Sequence, residues 1–266
     1  LYIQQKNWEK AAESLDKEIA KNPKSDEGYY LLGIVKKEKE DIKGMVYNFN
    51  KSLEISSKFK KEIDALTQAT WAESFNAGVN NYNKAAQSKS KDTTAMFLDK
   101  AIEKFNTAIS LEPDSIEAYK IVSMIYLNKG ETDKAIPVLQ TIIDKQGPSY
   151  AYAQLAEIYI KRGEAKNTAF KTSKNSADSV AAHDNFTTAK KTAITGLNKH
   201  PGDETLLATL AMVYGYLNQA EEGAALFEGE VKKNPTNKLS RLYYGIFLTN
   251  IQNYTASVVE FAEILK

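Results

Sequence analysis

The chain has 266 residues, no cysteine, and 35 basic against 34 acidic side chains. That excludes disulfides, thiolate metal sites and cysteine nucleophiles, and with no long basic run neither a nucleic acid nor an anionic membrane is the expected partner. Hydrophobic residues make up 42% of the sequence, enough for a real core, yet no apolar stretch approaches the ~20 residues of a membrane span, so no direct membrane insertion is expected.

The first element, "WEKAAESLDKEIAKNP" (8–23), carries Trp8, Ala11, Leu15 and Ile19 at helical steps and closes on Asn22-Pro23. It reads as the second half of a helix pair. The next unit runs over 26–59. The third, 62–115, has a good first helix in "FNAGVNNYNKAAQ" and a good second in "DKAIEKFNTAISLEP". Relative to a 34-residue period, about 11 extra residues near 87–97, centred on "SKSKDTTAM", separate them. A solvated loop and an extension of both helices are each open there.

In 116–148, Tyr119, Val122, Ser123 and Tyr126 share one stripe, and Ala135, Leu139 and Ile142 form another after the break at Gly130. The unit at 149–203 holds "AQLAEIYIKRG" and "FTTAKKTAITGLNKHP", with about 21 residues beyond the repeat period between them. Ala165, Ala169 and Phe170 keep a helical step going in, and Val180, Ala181 and Ala182 keep one coming out. The 164–184 insertion is therefore expected to lengthen both helices into a finger. Units at 204–237 and 238–266 complete the series.

Two regularities tie these elements together. Pro23, Pro113, Pro148, Pro201 and Pro235 all fall at helix ends, where the missing N–H stops a helix. Pro201 and Pro235 stand 34 residues apart, as do Ala11 and Met45, and Ala101 and Ala135. One phase of the first helices is always small: Gly33, Gly78, Ser123, Ala156, Ala211 and Gly245. The matching phase of the second helices reads Ala11, Met45, Ala101, Ala135, Ala189, Gly223 and Ser257, which makes Met45 a candidate for splaying its pair. Small residues at one phase imply helices in close approach.

This pattern resembles the tetratricopeptide repeat, and its Lys- and Asn-rich composition is similar to that of bacterial members. The resemblance covers nearly the whole chain. It implies an all-α fold: one α-solenoid, a right-handed superhelix of about six to seven helix-turn-helix units over 1–266, two of them with long insertions. It further implies a protein or peptide partner held on the inner faces of the first helices. Carried over position by position, the partner-binding groove would be lined by Tyr30, Ile34, Phe75, Val79, Tyr82, Lys120, Met124, Leu127, Met212 and Tyr216. Ala153, Glu157, Ile160, Ala208, Leu242 and Ile246 occupy equivalent positions. The subset of the family that clamps a C-terminal carboxylate needs an asparagine that none of these units supplies, and Lys120 alone fits that arrangement.

No catalytic motif appears, and His183 and His200 lack a second ligand or a nucleophile at useful spacing. The expectation is a non-enzymatic scaffold without metal or cofactor. The alternative is an assembly module that self-associates, forming a homo-oligomer through its terminal helices or the 164–184 insertion. An envelope-associated accessory protein is a third reading. Cytoplasm and periplasm both suit a cysteine-free chain. A start at Leu1 fits a trimmed signal or anchor, and the apolar last helix, "SVVEFAEILK", fits an array that continues beyond both ends.

Overall fold

Most of the helices begin where a short polar side chain satisfies one of the first free N–H groups. Asn7, Ser25, Asp41, Ser90, Asn175, Asp203, Asn237 and Asn253 all accept a backbone N–H two or three residues ahead. In the computed structural model, which describes residues 2–266, these caps open eight of thirteen helices, and no strand occurs among the described residues. They are α1 (Trp8–Lys21), α2 (Asp26–Glu38), α3 (Ile42–Ile55), α4 (Lys60–Gln87), α5 (Lys91–Leu111), α6 (Ile116–Asn128) and α7 (Thr132–Asp144). There follow α8 (Ser149–Ser173), α9 (Ser176–Lys199), α10 (Glu204–Tyr216), α11 (Ala220–Lys233), α12 (Lys238–Asn250) and α13 (Tyr254–Ile264). The chain divides into two compact units, Leu1–Lys129 and Gly130–Lys266.

In the first unit α1 packs on α2, α2 on α3, α4 on α5 and α5 on α6. In the second, α7 packs on α8, α8 on α9, α9 on α10, α11 on α12 and α12 on α13. Each unit is thus an all-helical run in which successive helices pack on one another, the helix-pair arrangement expected from the sequence.

The pairs close through a ring laid on a small residue. A methyl group added to Gly33 would strike the ring of Phe49. The same methyl on Gly78 would lie 2.8 Å from Phe105 Cε1, on Gly223 2.7 Å from Phe247 Cε1, and on Gly245 2.5 Å from Phe261 Cε1. No carbon fits at those distances. Every small-phase residue of the second helices is buried, from Ala11 to Ser257, whose Oγ donates to the Gly245 carbonyl at 2.8 Å. Met45 is also fully buried, and Phe49 on the same helix still rests against Gly33. The expected splay is not seen at that contact: Met45 joins Phe49 and Ile63 in one buried cluster, against which Tyr30 and Ile34 pack, as suits a flexible side chain that adapts to the space left.

Ala211 departs from its expected role. It is half-exposed, and Phe227 of α11 stacks on Phe247 of α12 at 5.6 Å and also meets Tyr243. The ring that would have closed α11 on α10 belongs to the following helix.

Both insertions are helical. Between α4, with 28 residues, and α5, with 21, only 88–90 are left as a turn. The finger expected at 164–184 is formed by α8, 25 residues, and α9, 24 residues. It reverses at Lys174, in the left-handed region at φ 58°, followed by the Asn175 cap.

Two glycines separate close approach from ordinary helix propensity. Gly229 sits within α11 with nothing within 4 Å of an added Cβ, so Gly229→Ala should stabilise by about 0.5–1 kcal/mol through backbone entropy. Gly33→Ala gains the same term, but displacing the Phe49 ring costs roughly 1–3 kcal/mol and should reverse the sign. Urea denaturation of the two variants is the measurement; a Gly33→Ala chain as stable as the parent would remove the seam's claim on that space.

Candidate functional site

The inner-face positions fall on α2, α4 and α6 in the first unit and on α8, α10 and α12 in the second. In the second unit they border open space. Residues three and four apart on α8, namely Ala153, Glu157, Ile160 and Glu164, face Thr205, Ala208 and Met212 of α10 across a cleft of about 580 Å³. Ala153 and Ile160 are buried and form its floor. Its polar rim is largely neutralised internally. Lys161 Nζ pairs with Glu157 at 2.7 Å, and Glu164 accepts a hydrogen bond from the Tyr216 hydroxyl.

Tyr216 is held from two sides. Its ring stacks on Phe186 of α9 at 4.5 Å and 4°, while the hydroxyl is tied to α8 through Glu164. Donation to that carboxylate raises the phenol above its ordinary value. Beyond it the apolar surface continues. Met212 is 52% exposed, Tyr216 37%, Leu242 38% and Ile246 39%. These four large apolar residues, two on α10 and two on α12, are each more than a third in water, and Met212 lines the cleft itself.

The first unit uses its inner positions differently. Tyr30 stacks on Phe59 at 4.4 Å and 7°, and with Ile34 it packs against the cluster of Met45, Phe49 and Ile63. Phe75 lies between Trp71, at 5.1 Å, and Phe105, at 5.3 Å. Val79, Tyr82, Met124 and Leu127 are half-buried, and Lys120 is 3.7 Å from Glu117 on its own helix. Tyr30, Ile34 and Phe75 thus pack within the unit, whereas Met212 and Tyr216 meet solvent.

Gln154 and Glu164 line the cleft but were absent from the inner positions carried over from the repeat. Glu164 lies in the stretch counted as insertion, and only the unbroken run of α8 brings it to the groove. The two histidines differ in their surroundings. His183 is exposed, but His200 is half-buried, 3.2 Å from the Gly147 carbonyl and edge-on to Tyr152 at 5.9 Å. It acts as a structural contact across an inter-helix turn. No group of three or more His, Cys, Asp or Glu that could hold a metal occurs among the described residues, and no described helix is long and apolar enough to cross a membrane.

No protein-family model and no curated protein matches the sequence. Among solved structures, the chain is similar to YrrB, a TPR protein with an unusual peptide-binding site, at 10% identity and TM-score 0.41, over 96% of this chain and 92% of that one. A thermophilic TPR protein of Thermus thermophilus matches at 16% identity and TM-score 0.39, over 73% and 90%. Yeast Tom70 matches at 17% and 0.42, over 97% and 55%. At such scores these likenesses support nothing about the site.

The double restraint on Tyr216 has measurable parts. Tyr216→Phe keeps the stack and loses the bond to Glu164, a loss toward the lower end of about 0.5–1.5 kcal/mol because the pair is partly solvated. Tyr216→Ala also forfeits the ring pair, about 0.5–1.5 kcal/mol more plus the buried area. Thermal melts of the two variants should separate in that order, and coincident curves would show that the stack contributes nothing.

Proposed function

We propose that the chain is a non-enzymatic protein-interaction scaffold whose inner, largely apolar groove holds a peptide or a helix of a partner protein. The observation that carries this reading is the α8–α10 cleft, floored by Ala153 and Ile160 and bordered by Met212, together with the exposure of Met212, Tyr216, Leu242 and Ile246 at the inner positions of α10 and α12. Large apolar side chains exposed at the positions where the repeat would hold a partner suit a surface that is covered part of the time. Methionine and tyrosine suit such a surface. The first adapts to different side chains, and the second offers a large face at low rotamer cost. With Glu157 and Lys161 paired and Glu164 occupied by Tyr216, apolar contact rather than charge would supply most of the affinity.

Val79, Tyr82, Lys120, Met124 and Leu127 belong to the same proposal as a second stretch of groove in the first unit. Tyr30, Ile34 and Phe75 would support it from beneath, through Phe59, Trp71 and Phe105.

A second reading has its own observation. On α13 and just past it, Tyr254, Val258, Val259 and Leu265 are more than half exposed, three of them spaced along one face. A homo-oligomer formed through that face would cover it.

The readings separate by experiment. Met212→Lys with Ile246→Lys alters two exposed side chains and should leave helicity intact. A partner recovered in a pull-down with the parent and identified by mass spectrometry should bind this variant at least tenfold more weakly, and equal affinity would overturn the groove. Light scattering over a hundredfold concentration range addresses the second reading. A rising mass that Val258→Lys abolishes is its expected result, and a constant monomer mass would dismiss it.

A further inference from the structure

The near balance of charge over the whole chain is not kept where the first insertion turns. No acidic residue occurs between Glu73 and Asp92, and Lys84, Lys89 and Lys91 all fall in that stretch. The turn at 88–90 then brings a fourth lysine beside them. Lys84 Nζ of α4 and Lys100 Nζ of α5 lie 5.8 and 5.9 Å from the centre of one ring, that of Phe97. All four lysines are exposed, and none of them forms an ion pair among the described residues. The two acids on this part of α5 are otherwise engaged. Asp99 is 2.5 Å from Lys129, and Asp92 stands in the first turn of α5, where the free N–H groups favour a negative charge.

The turn also carries apolar surface. Met96 is 44% exposed, and its neighbour Phe97 is half-buried. The other long hairpin is less charged: Lys166 is held by Asp178 at 2.9 Å, which leaves Lys171 and Lys174 at its reversal.

Three features choose the partner. Two ammonium groups drawn to one ring repel each other, and an anion between them relieves the repulsion. The cations are all lysines, compact point charges without the flat fork by which arginine grips a single phosphate or carboxylate in two places. They suit a layer of many anions better than one fixed group. An exposed methionine among them gains nothing from a nucleic-acid backbone. At the boundary between headgroups and acyl chains it leaves water, while the lysine heads stay among the phosphates.

We propose that the α4–α5 turn is a peripheral contact for an anionic phospholipid surface. Lys84, Lys89, Lys91 and Lys100 lie against the headgroups, and Met96 with the edge of Phe97 enters the layer just beneath them. Each lysine near such a leaflet adds about fivefold to the affinity, an attraction that falls off within about 8 Å at physiological ionic strength. The contact uses none of the inner-face positions and does not depend on the groove.

Co-sedimentation of the chain with vesicles tests this. It should pellet with vesicles of three parts phosphatidylcholine to one part phosphatidylserine, and not with phosphatidylcholine alone. Raising the salt from about 0.1 M to about 0.5 M should weaken the partitioning at least tenfold. Lys89→Glu with Lys91→Glu adds acid where α5 starts, which suits the helix, and should cost tenfold or more with circular dichroism unchanged. Lys84→Gln with Lys100→Gln should act in the same direction without altering the turn, and Met96→Ser should cost about threefold. Lys171→Glu with Lys174→Glu makes the same change in net charge at the other hairpin and should leave partitioning within twofold. No binding to the anionic vesicles, equal binding to phosphatidylcholine alone, or a Met96→Ser chain that binds as the parent does would each overturn the proposal. So would an equal loss in the Lys171 and Lys174 variant, which would make net charge the cause, or displacement from the vesicles by an oligo(dT) strand of equal total charge, which would make nucleic acid the ligand.

Discussion

The fold depends on one contact used repeatedly: an aromatic ring lying where a side chain is missing. A glycine on one helix lets the backbone of its partner approach, and a phenylalanine fills the volume at the edge of that approach. Because the small residue and the ring each occupy a fixed phase, the contact sets rotation as well as distance. The remaining faces are assigned by default, one to the neighbouring pair and one to the inner surface. The inner surface is thus what the seam leaves over.

The finger shows that the rule is about phase rather than position. In α8 and α9 the usual small site holds Ala156, and its counterpart one turn beyond Ala189 is Ala193, a residue without a ring. The glycine and the ring appear farther out, as Gly163 and Phe186, with an added methyl 2.6 Å from Cε1. Gly163 follows Ala156 by seven residues and Phe186 precedes Ala193 by seven. In antiparallel helices an advance on one strand of the hairpin matches an equal retreat on the other, so the seam has moved outward by two turns in register. The extra residues therefore prolong the pair without disturbing the repeat behind it. They also place Glu164 and Phe186 beside Tyr216, so the finger braces the groove at its base.

Much of this was legible because it is local. Prolines such as Pro113 and Pro235 act within a turn of themselves, so helix ends could be read from sequence spacing, as could the helical course of the 164–184 insertion, whereas 87–97 carried no periodicity to decide between loop and helix. The small phase was legible for the same reason. What escaped depends on which of several neighbouring helices a side chain chooses. Nothing near Phe227 in sequence says that its ring turns to Phe247 instead of Ala211, and nothing near His200 points to the Gly147 carbonyl. Tyr30 and Met212 stand at related positions of their repeats. Only tertiary packing, with Phe59 against the first and open cleft beside the second, makes one a packing residue and the other a surface residue.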